Sequence, residues 1–178
     1  MSWIHKLRTG KTLKANRTAL FMTKPIPDGY STITASLIVK GGVAAIEFYK
    51  KAFGAQEVYI FPGPDGKSVM HAELKIGNSR VMLSDEMPQM NCRSPQTLGG
   101  TGIYIYMYVE DADATFNKAI AAGAMPTMPL MDAFWGDRFG QVQDPFGHIW
   151  GIATRKIDMS PEELGKAGQE FFKHMQQK

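Results

Sequence analysis

Asp144-Pro145-Phe146-Gly147-His148-Ile149-Trp150-Gly151-Ile152 reads as the end of one strand, a tight Asp-Pro-x-Gly turn and a return strand. Pro145 pre-sets its own backbone for the turn, and Gly147 accepts the positive φ that other residues resist. Residues 138–144 and 148–154 are the two arms of this hairpin. Upstream, residues 125–131 are extended, and Pro126 and Pro129 mark them as a sheet edge. Residues 112–122 read as a helix, with Asp111 or Asp113 as its cap and Gly123 as its stop. Before it, residues 102–109 alternate Ile103, Ile105, Met107 and Val109 against Tyr104, Tyr106 and Tyr108, the pattern of a half-buried strand. The order is β-α-β-β-β.

The same order occurs earlier in the chain. Residues 31–39 alternate Ile33, Ala35, Leu37 and Val39 against Thr32, Thr34, Ser36 and Ile38. Gly41-Gly42 breaks that strand, and residues 43–53 follow as a helix ended by Gly54. Residues 56–61 and 68–76 flank Pro62-Gly63-Pro64-Asp65-Gly66-Lys67, a hairpin connection, and residues 80–84 return after Gly77-Asn78-Ser79. In the 68–76 strand Met70, Ala72, Leu74 and Ile76 oppose His71, Glu73 and Lys75. The repeat is visible in residues too: Ala52-Phe53-Gly54-Ala55 recurs as Ala121-Ala122-Gly123-Ala124, and Val39 as Val109. Finally, Ser160-Pro161-Glu162-Glu163 is a capping box with Pro at the first helical position. Leu164, Gly168, Phe171, Phe172 and Met175 form one face of that last helix, to be packed on the domain or on a second subunit.

The chain has 178 residues, enough for one domain or two small repeats sharing a core. With 44% apolar and 21% charged residues it has the balance of a globular protein, and no apolar run approaches the roughly 18 residues of a membrane span. Its one cysteine, Cys92, excludes an intrachain disulfide and fits a reducing, cytoplasmic setting. No base is identifiable near it to make it a nucleophile. The net charge of +3 is uneven: Lys6, Arg8, Lys11, Lys14 and Arg17 give residues 1–21 a charge of +5, leaving −2 for the rest. The basic character therefore belongs to the leader, read as an extension before Met22 or as a targeting peptide, and gives no reason to expect nucleic acid as a partner. Twelve methionines fill gaps in the core or line adaptable surfaces.

Two consecutive βαβββ modules resemble the vicinal oxygen chelate superfamily of glyoxalases, bleomycin resistance proteins and dioxygenases. The resemblance rests on Ile46-Glu47-Phe48-Tyr49-Lys50-Lys51-Ala52-Phe53-Gly54, Val109-Glu110-Asp111-Ala112-Asp113 and Asp144-Pro145-Phe146-Gly147-His148. Met70-His71-Ala72-Glu73-Leu74, residues 94–100 and Phe134-Trp135-Gly136-Asp137-Arg138 are similar to its PhnB-like branch. The resemblance implies an α+β fold: two βαβββ modules form a cupped mixed sheet around a cavity, with a C-terminal helix added. The expected division is a leader and entering segment at 1–27, modules at 28–86 and 101–156, a linker at 87–100 and the helix at 157–178. It also implies that two modules enclose the cavity, within one chain or across a dimer, and that a divalent metal is held by side chains of the first and fourth strands of each module; a homodimer is expected.

Carried over, those ligand places fall on Thr34, Leu83, Tyr104 and Gly151, which are not a set for zinc, nickel or iron. Residues 31–39, 79–84 and 101–109 contain no His, Asp, Glu or Cys, so a slip of register does not restore the site. No cofactor is expected, and a divalent metal is disfavoured. With apolar strand faces against the helices, Thr34, Ser36, His71, Glu73, Tyr104, Tyr106, Gln141 and Gln143 face the cup, and Trp135 reaches its mouth. Two functions stay open. One is a binder of a small organic molecule in an aromatic cavity. The other is a glyoxalase-like lyase or isomerase using His71 and Glu73, which share a strand face, as an acid/base pair or as ligands of a displaced metal. Asp85, Glu86 and Asp137 are loop acids that either attract a cationic ligand or are simply solvated, and His148 is read as a turn residue at the surface.

Overall fold

A computed structural model describes residues 24–175; the leader and Met22 lie outside them. The elements are β1 (Ala35–Val39), α1 (Gly42–Phe53), β2 (Gln56–Pro62), β3 (Val69–Ile76), β4 (Ser79–Asp85), a short α2 (Pro95–Leu98), β5 (Tyr104–Tyr108), α3 (Ala112–Ala121), β6 (Met125–Asp132), β7 (Asp137–Gln143), β8 (Ile149–Arg155) and α4 (Pro161–Met175). They build two four-stranded mixed sheets, ordered β1-β4-β3-β2 and β5-β8-β7-β6. In each, the first strand runs parallel to the fourth and the other pairs are antiparallel. The fold is thus α+β, two βαβββ modules and a C-terminal helix. No helix among the described residues is long and apolar enough to cross a membrane.

Each module anchors its helix from its last strand. Asp85 ends β4, and its carboxylate accepts the Gly41 and Gly42 N–H groups at the start of α1 (2.8 and 2.9 Å) and that of Val69 (2.7 Å). α1 thereby gains the acceptor that Gly41 lacks as a cap. A Cβ at Gly42 would lie 2.7 Å from that of Val69, so this approach needs glycine. In the second module Thr154 of β8 accepts the Ala112 N–H at 2.8 Å, and Asp111, one of the two expected caps, accepts that of Ala114 at 2.9 Å.

One apolar core serves both modules because α1 packs against α3 and into the second sheet. Leu37, Val39, Leu74 and Leu83 meet Ala45, Ile46, Tyr49 and Ala52; beyond them lie Phe116, Ala119, Val142, Trp150 and Ile152. The Phe53 and Trp150 ring centroids lie 4.6 Å apart with the planes tilted by 44°, and Phe48 lies 6.1 Å from Phe146. At the junction sits buried Asp144. Its Oδ2 accepts the Tyr49 hydroxyl (2.7 Å) and the Trp150 indole N–H (2.9 Å), while Oδ1 accepts the Phe146 and His148 N–H groups. The β7–β8 turn therefore closes as expected, with Gly147 at φ 90 and its N–H on the Asp144 carbonyl. Burial and Asp144 together hold the Tyr49 hydroxyl un-ionised, pushing its pKa well up.

Several expectations are corrected. β1 begins at Ala35: Thr34 lies before it with its hydroxyl turned to the Ser31 carbonyl, and Ile33 is 86% exposed. β5 likewise begins at Tyr104 and leaves Ile103 exposed. The β3 alternation holds from Ala72 onward, but a register shift opposite Phe61 and Pro62 buries Val69 and exposes Met70. His148 is not free at the surface; its Nε2 lies 3.0 Å from the Ile38 carbonyl oxygen and ties the second module to β1. Asp85 is a helix anchor. Glu86 fastens the linker, accepting Ser94 Oγ (2.8 Å), the Ser94 N–H (3.1 Å) and Thr97 Oγ1 (2.7 Å). The capping box of α4 forms, with Ser160 and Glu163 bonded reciprocally. That helix rests on Phe134 through Gly168 and Phe171, and leaves Leu164, Phe172 and Met175 exposed.

Asp144→Ala strands four donors, three of them buried, and is expected to cost about 3 kcal/mol in urea unfolding, whereas Tyr49→Phe, which leaves Asp144 three partners, costs about 1.5 kcal/mol. The bonds from Thr97 and Ser94 pull the Glu86 pKa down to about 2. The stability it contributes is present in full above its unfolded value, roughly 4.3, and is lost as pH falls through about 2. Melting temperatures recorded from pH 5 to pH 2 should therefore fall less steeply for Glu86→Gln than for the parent chain.

Candidate functional site

A four-stranded sheet with one helix buries one face, and period-two alternation sends every second side chain to the other. On the first sheet Ser36 is in register with Met82, Met82 with Glu73, and Glu73 with Tyr59. Leu83, the fourth-strand ligand place carried over from the resemblance, is instead fully buried on the helix side. Val81 and Leu83 both face the helices, so Met82 takes the equivalent place on the helix-free side. His71 and Glu73 share that side, with His71 Nε2 3.4 Å from Glu73 Oε1. The Tyr30 hydroxyl, then His71, hold the Glu73 carboxyl below the usual carboxylate range. Thr34 stands outside the strand.

On the second sheet the register sets Tyr106 beside Gly151 and Gln141, Tyr104 beside Ile149 and Gln143, and Tyr108 beside Ala153 and Phe139. Gly151 and Ala153 are small, so the tyrosine rings lie across β8. Tyr106 stacks on Phe139 at 5.4 Å with an interplanar angle of 7°. A Cβ on Gly151 would come within 3.0 Å of Phe139, 3.1 Å of Tyr106 and 3.3 Å of Tyr104. The rings thus occupy the space where a side chain from this place would stand. Gln141 is engaged by the Thr127 hydroxyl (2.9 Å), and Gln143 points its amide to the Gly147 carbonyl (3.5 Å).

Asp137 corrects the expectation of a loop acid. It opens β7 at 1% exposure, and its Oδ2 accepts the Tyr106 hydroxyl (3.1 Å), the Tyr108 hydroxyl (3.0 Å) and the Trp135 indole N–H (3.1 Å). Arg155 Nε lies 3.0 Å from Oδ1 without hydrogen-bond alignment, and its guanidinium sits 5.9 Å from the Tyr108 ring. Burial and then Asp137 push the Tyr106 hydroxyl pKa up, outweighing the opposite pull of Trp135. Asp137 and Arg155 were missed as part of this face. The available signal was parity, since 137 and 141 fall on one side of β7 as 151 and 155 do on β8.

The sequence therefore divides its candidates between two faces. Ser36, His71 and Glu73 belong to the first sheet; Tyr104, Tyr106, Gln141, Gln143 and Trp135 belong to the second. No hydrogen bond among the described residues joins the two sets. A pocket of about 250 Å3 at the β1 edge includes Ser36 with Ile103, His148 and Ile149. As a metal site the donor chemistry does not fit: Ser36, Met82, Tyr106 and Gly151 occupy the central places, and among the described residues no three His, Cys, Asp or Glu side chains are grouped to hold an ion.

Comparison with known proteins places this geometry. The sequence profile of the Glyoxalase/Bleomycin resistance protein/Dioxygenase superfamily matches residues 32–152. An uncharacterized protein of Mycobacterium tuberculosis strain H37Rv is 43% identical over 138 residues, covering 76% of this chain and 81% of that one. The crystal structure of an Arabidopsis thaliana gene product is 28% identical, covers 70% of this chain and 98% of that chain, and superposes with a TM-score of 0.56. A PhnB protein from Bacillus cereus, 22% identical and covering 70% and 99%, shares the fold with a TM-score of 0.55.

Asp137→Ala orphans three donors and leaves Arg155 without its counter-charge. It is expected to cost about 3 kcal/mol in urea unfolding and to change the near-ultraviolet circular dichroism of the tyrosine cluster.

Proposed function

The chain belongs to the glyoxalase/bleomycin resistance protein/dioxygenase superfamily, and within it we propose that this protein binds a small organic molecule against the tyrosine face of its second sheet, without the superfamily's metal. Gly151 carries the reading. At the fourth-strand place it supplies no donor atom, and the rings of Tyr104, Tyr106 and Phe139 crowd its Cβ position. What that face offers is stacking area, the Gln141 and Gln143 amides and the Trp135 edge, which suit a flat, partly polar molecule.

One face alone is open: Tyr104 and Tyr108 are each more than half exposed, and so is Tyr59 on the first sheet. A small-molecule site buries most of its ligand. The proposal therefore includes a homodimer, in which the helix-free face of one first sheet covers that of a partner's second sheet and brings Ser36, His71 and Glu73 to the tyrosines. Cytoplasmic residence, suggested by the lone Cys92, belongs to the same reading.

The His71–Glu73 pair supports a second reading, a glyoxalase-like lyase or isomerase. The two groups are 3.4 Å apart on an accessible face, and the carboxyl is held toward its ionised form, the state a base needs.

Elemental analysis decides between them. Purified protein incubated with nickel, zinc, manganese and iron and then desalted is expected to retain well under one metal per chain; about one per chain overturns the metal-free reading. Light scattering is expected to give twice the 19.7 kDa chain mass. In a thermal-shift screen of aromatic small molecules, ligands that raise the melting temperature are expected to lose that effect in Tyr104→Ala. Turnover abolished by His71→Ala would favour the enzyme.

A further inference from the structure

We propose a second binding site, in the seam between the modules, for a small anion with an apolar body such as an aromatic carboxylate. A cavity of about 620 Å3 lies there, between the end of α1, α3, the β3–β4 hairpin and the edge of β5. That is the size of a small-molecule pocket. Of the side chains named above for the tyrosine face, only Tyr106 and Tyr108 border it, and they do so along the strand edge.

The cavity follows from unequal filling of a repeat. Leu37 faces Leu83 as Met107 faces Ile152, so Val81 corresponds to Trp150. Gly42 and Ala112 start the two helices, so Tyr49 corresponds to Ala119, and at the helix ends Phe53-Gly54 corresponds to Ala122-Gly123. Around the β7–β8 hairpin the Tyr49, Phe53 and Trp150 rings pack together. The equivalent places carry Val81, Ala119 and Ala122, and of these Val81 borders the cavity. Side chains this small leave the space open.

Its chemistry selects the ligand. Phe53, Ile105, Met107 and Trp150 supply apolar wall, and among the described residues the charged ones bordering it are Arg80 and Lys118, with no carboxylate. The Arg80 guanidinium is turned to the Tyr30 ring, 5.6 Å away, so Lys118 supplies the accessible charge, and it enters no ion pair among the described residues. An ammonium group without a counter-charge beside an apolar wall is answered by an anionic oxygen through a charge-assisted bond. The strand edge adds donors. The Val109 N–H reaches the Ala153 carbonyl on β8, so by alternation the Tyr106 and Tyr108 peptide groups turn the other way, toward the seam. The site is independent of the tyrosine face, so either proposal can fail alone.

Calorimetric titration of the full chain with 1-naphthoate, and with the neutral 1-naphthalenemethanol, tests the proposal. Expected are one naphthoate per chain and at least about tenfold weaker binding of the alcohol. Lys118→Met, an exposed position on α3, should weaken naphthoate by about tenfold. Tyr104→Ala, which alters the other face, separates the two sites and should leave naphthoate affinity unchanged. Absence of binding at millimolar naphthoate, equal binding of the alcohol, an unchanged Lys118→Met, or loss on Tyr104→Ala overturns the proposal.

Discussion

A single carboxylate, Asp144, holds the two modules in place. It satisfies its own turn with Oδ1 and reaches the Tyr49 hydroxyl of the other module with Oδ2, inside a core from which water is excluded. A buried carboxylate without such partners would be prohibitively costly, so the bonds fix where α1 lies as well as stabilising it. With α1 committed to Trp150 and to α3, the helix-covered faces of both sheets are spent on one shared core. The faces left over are the ones that carry aromatic, amide and ionisable groups.

Glycine at 151 has two effects on one of those faces. It offers no donor at the fourth-strand place carried over from the resemblance, and it lets tyrosine rings from β5 cross β8 to reach Phe139 and Asp137. Arg155 supplies the counter-charge from the end of the same strand. An aromatic surface ordered by one buried acid is preorganised, since the hydroxyls are already held and stacking a ligand on them costs little further side-chain entropy.

The two modules share a pattern and differ in volume. Leu83 and Ile152, or Gly42 and Ala112, perform the same task in each half; Tyr49 and Ala119, or Trp150 and Val81, do not. The aromatic members make the second half's hairpin the firm joint of the molecule. The small members leave the seam cavity beside the first half's hairpin.

What the sequence determined by itself is what local periodicity encodes. Alternation placed Tyr104, Tyr106 and Tyr108 on one face of β5 and His71 and Glu73 on one face of β3. The Asp-Pro-x-Gly turn and the Ser160 capping box form as their spacing predicts, and the 69–70 residue repeat revealed two like modules. Strand ends were less legible: Ile33 and Thr34 continue the alternation, but a hydroxyl turn to Ser31 takes the backbone out of the sheet. Only the tertiary structure decided that Leu83 faces the helices, that His148 reaches Ile38 across 110 positions of chain, and that Asp137 is a buried hub and not a solvated loop acid. Those outcomes depend on register between strands and on contacts between modules. Such partners are distant in sequence, so a one-residue shift that leaves the local pattern intact exchanges every inward side chain for an outward one.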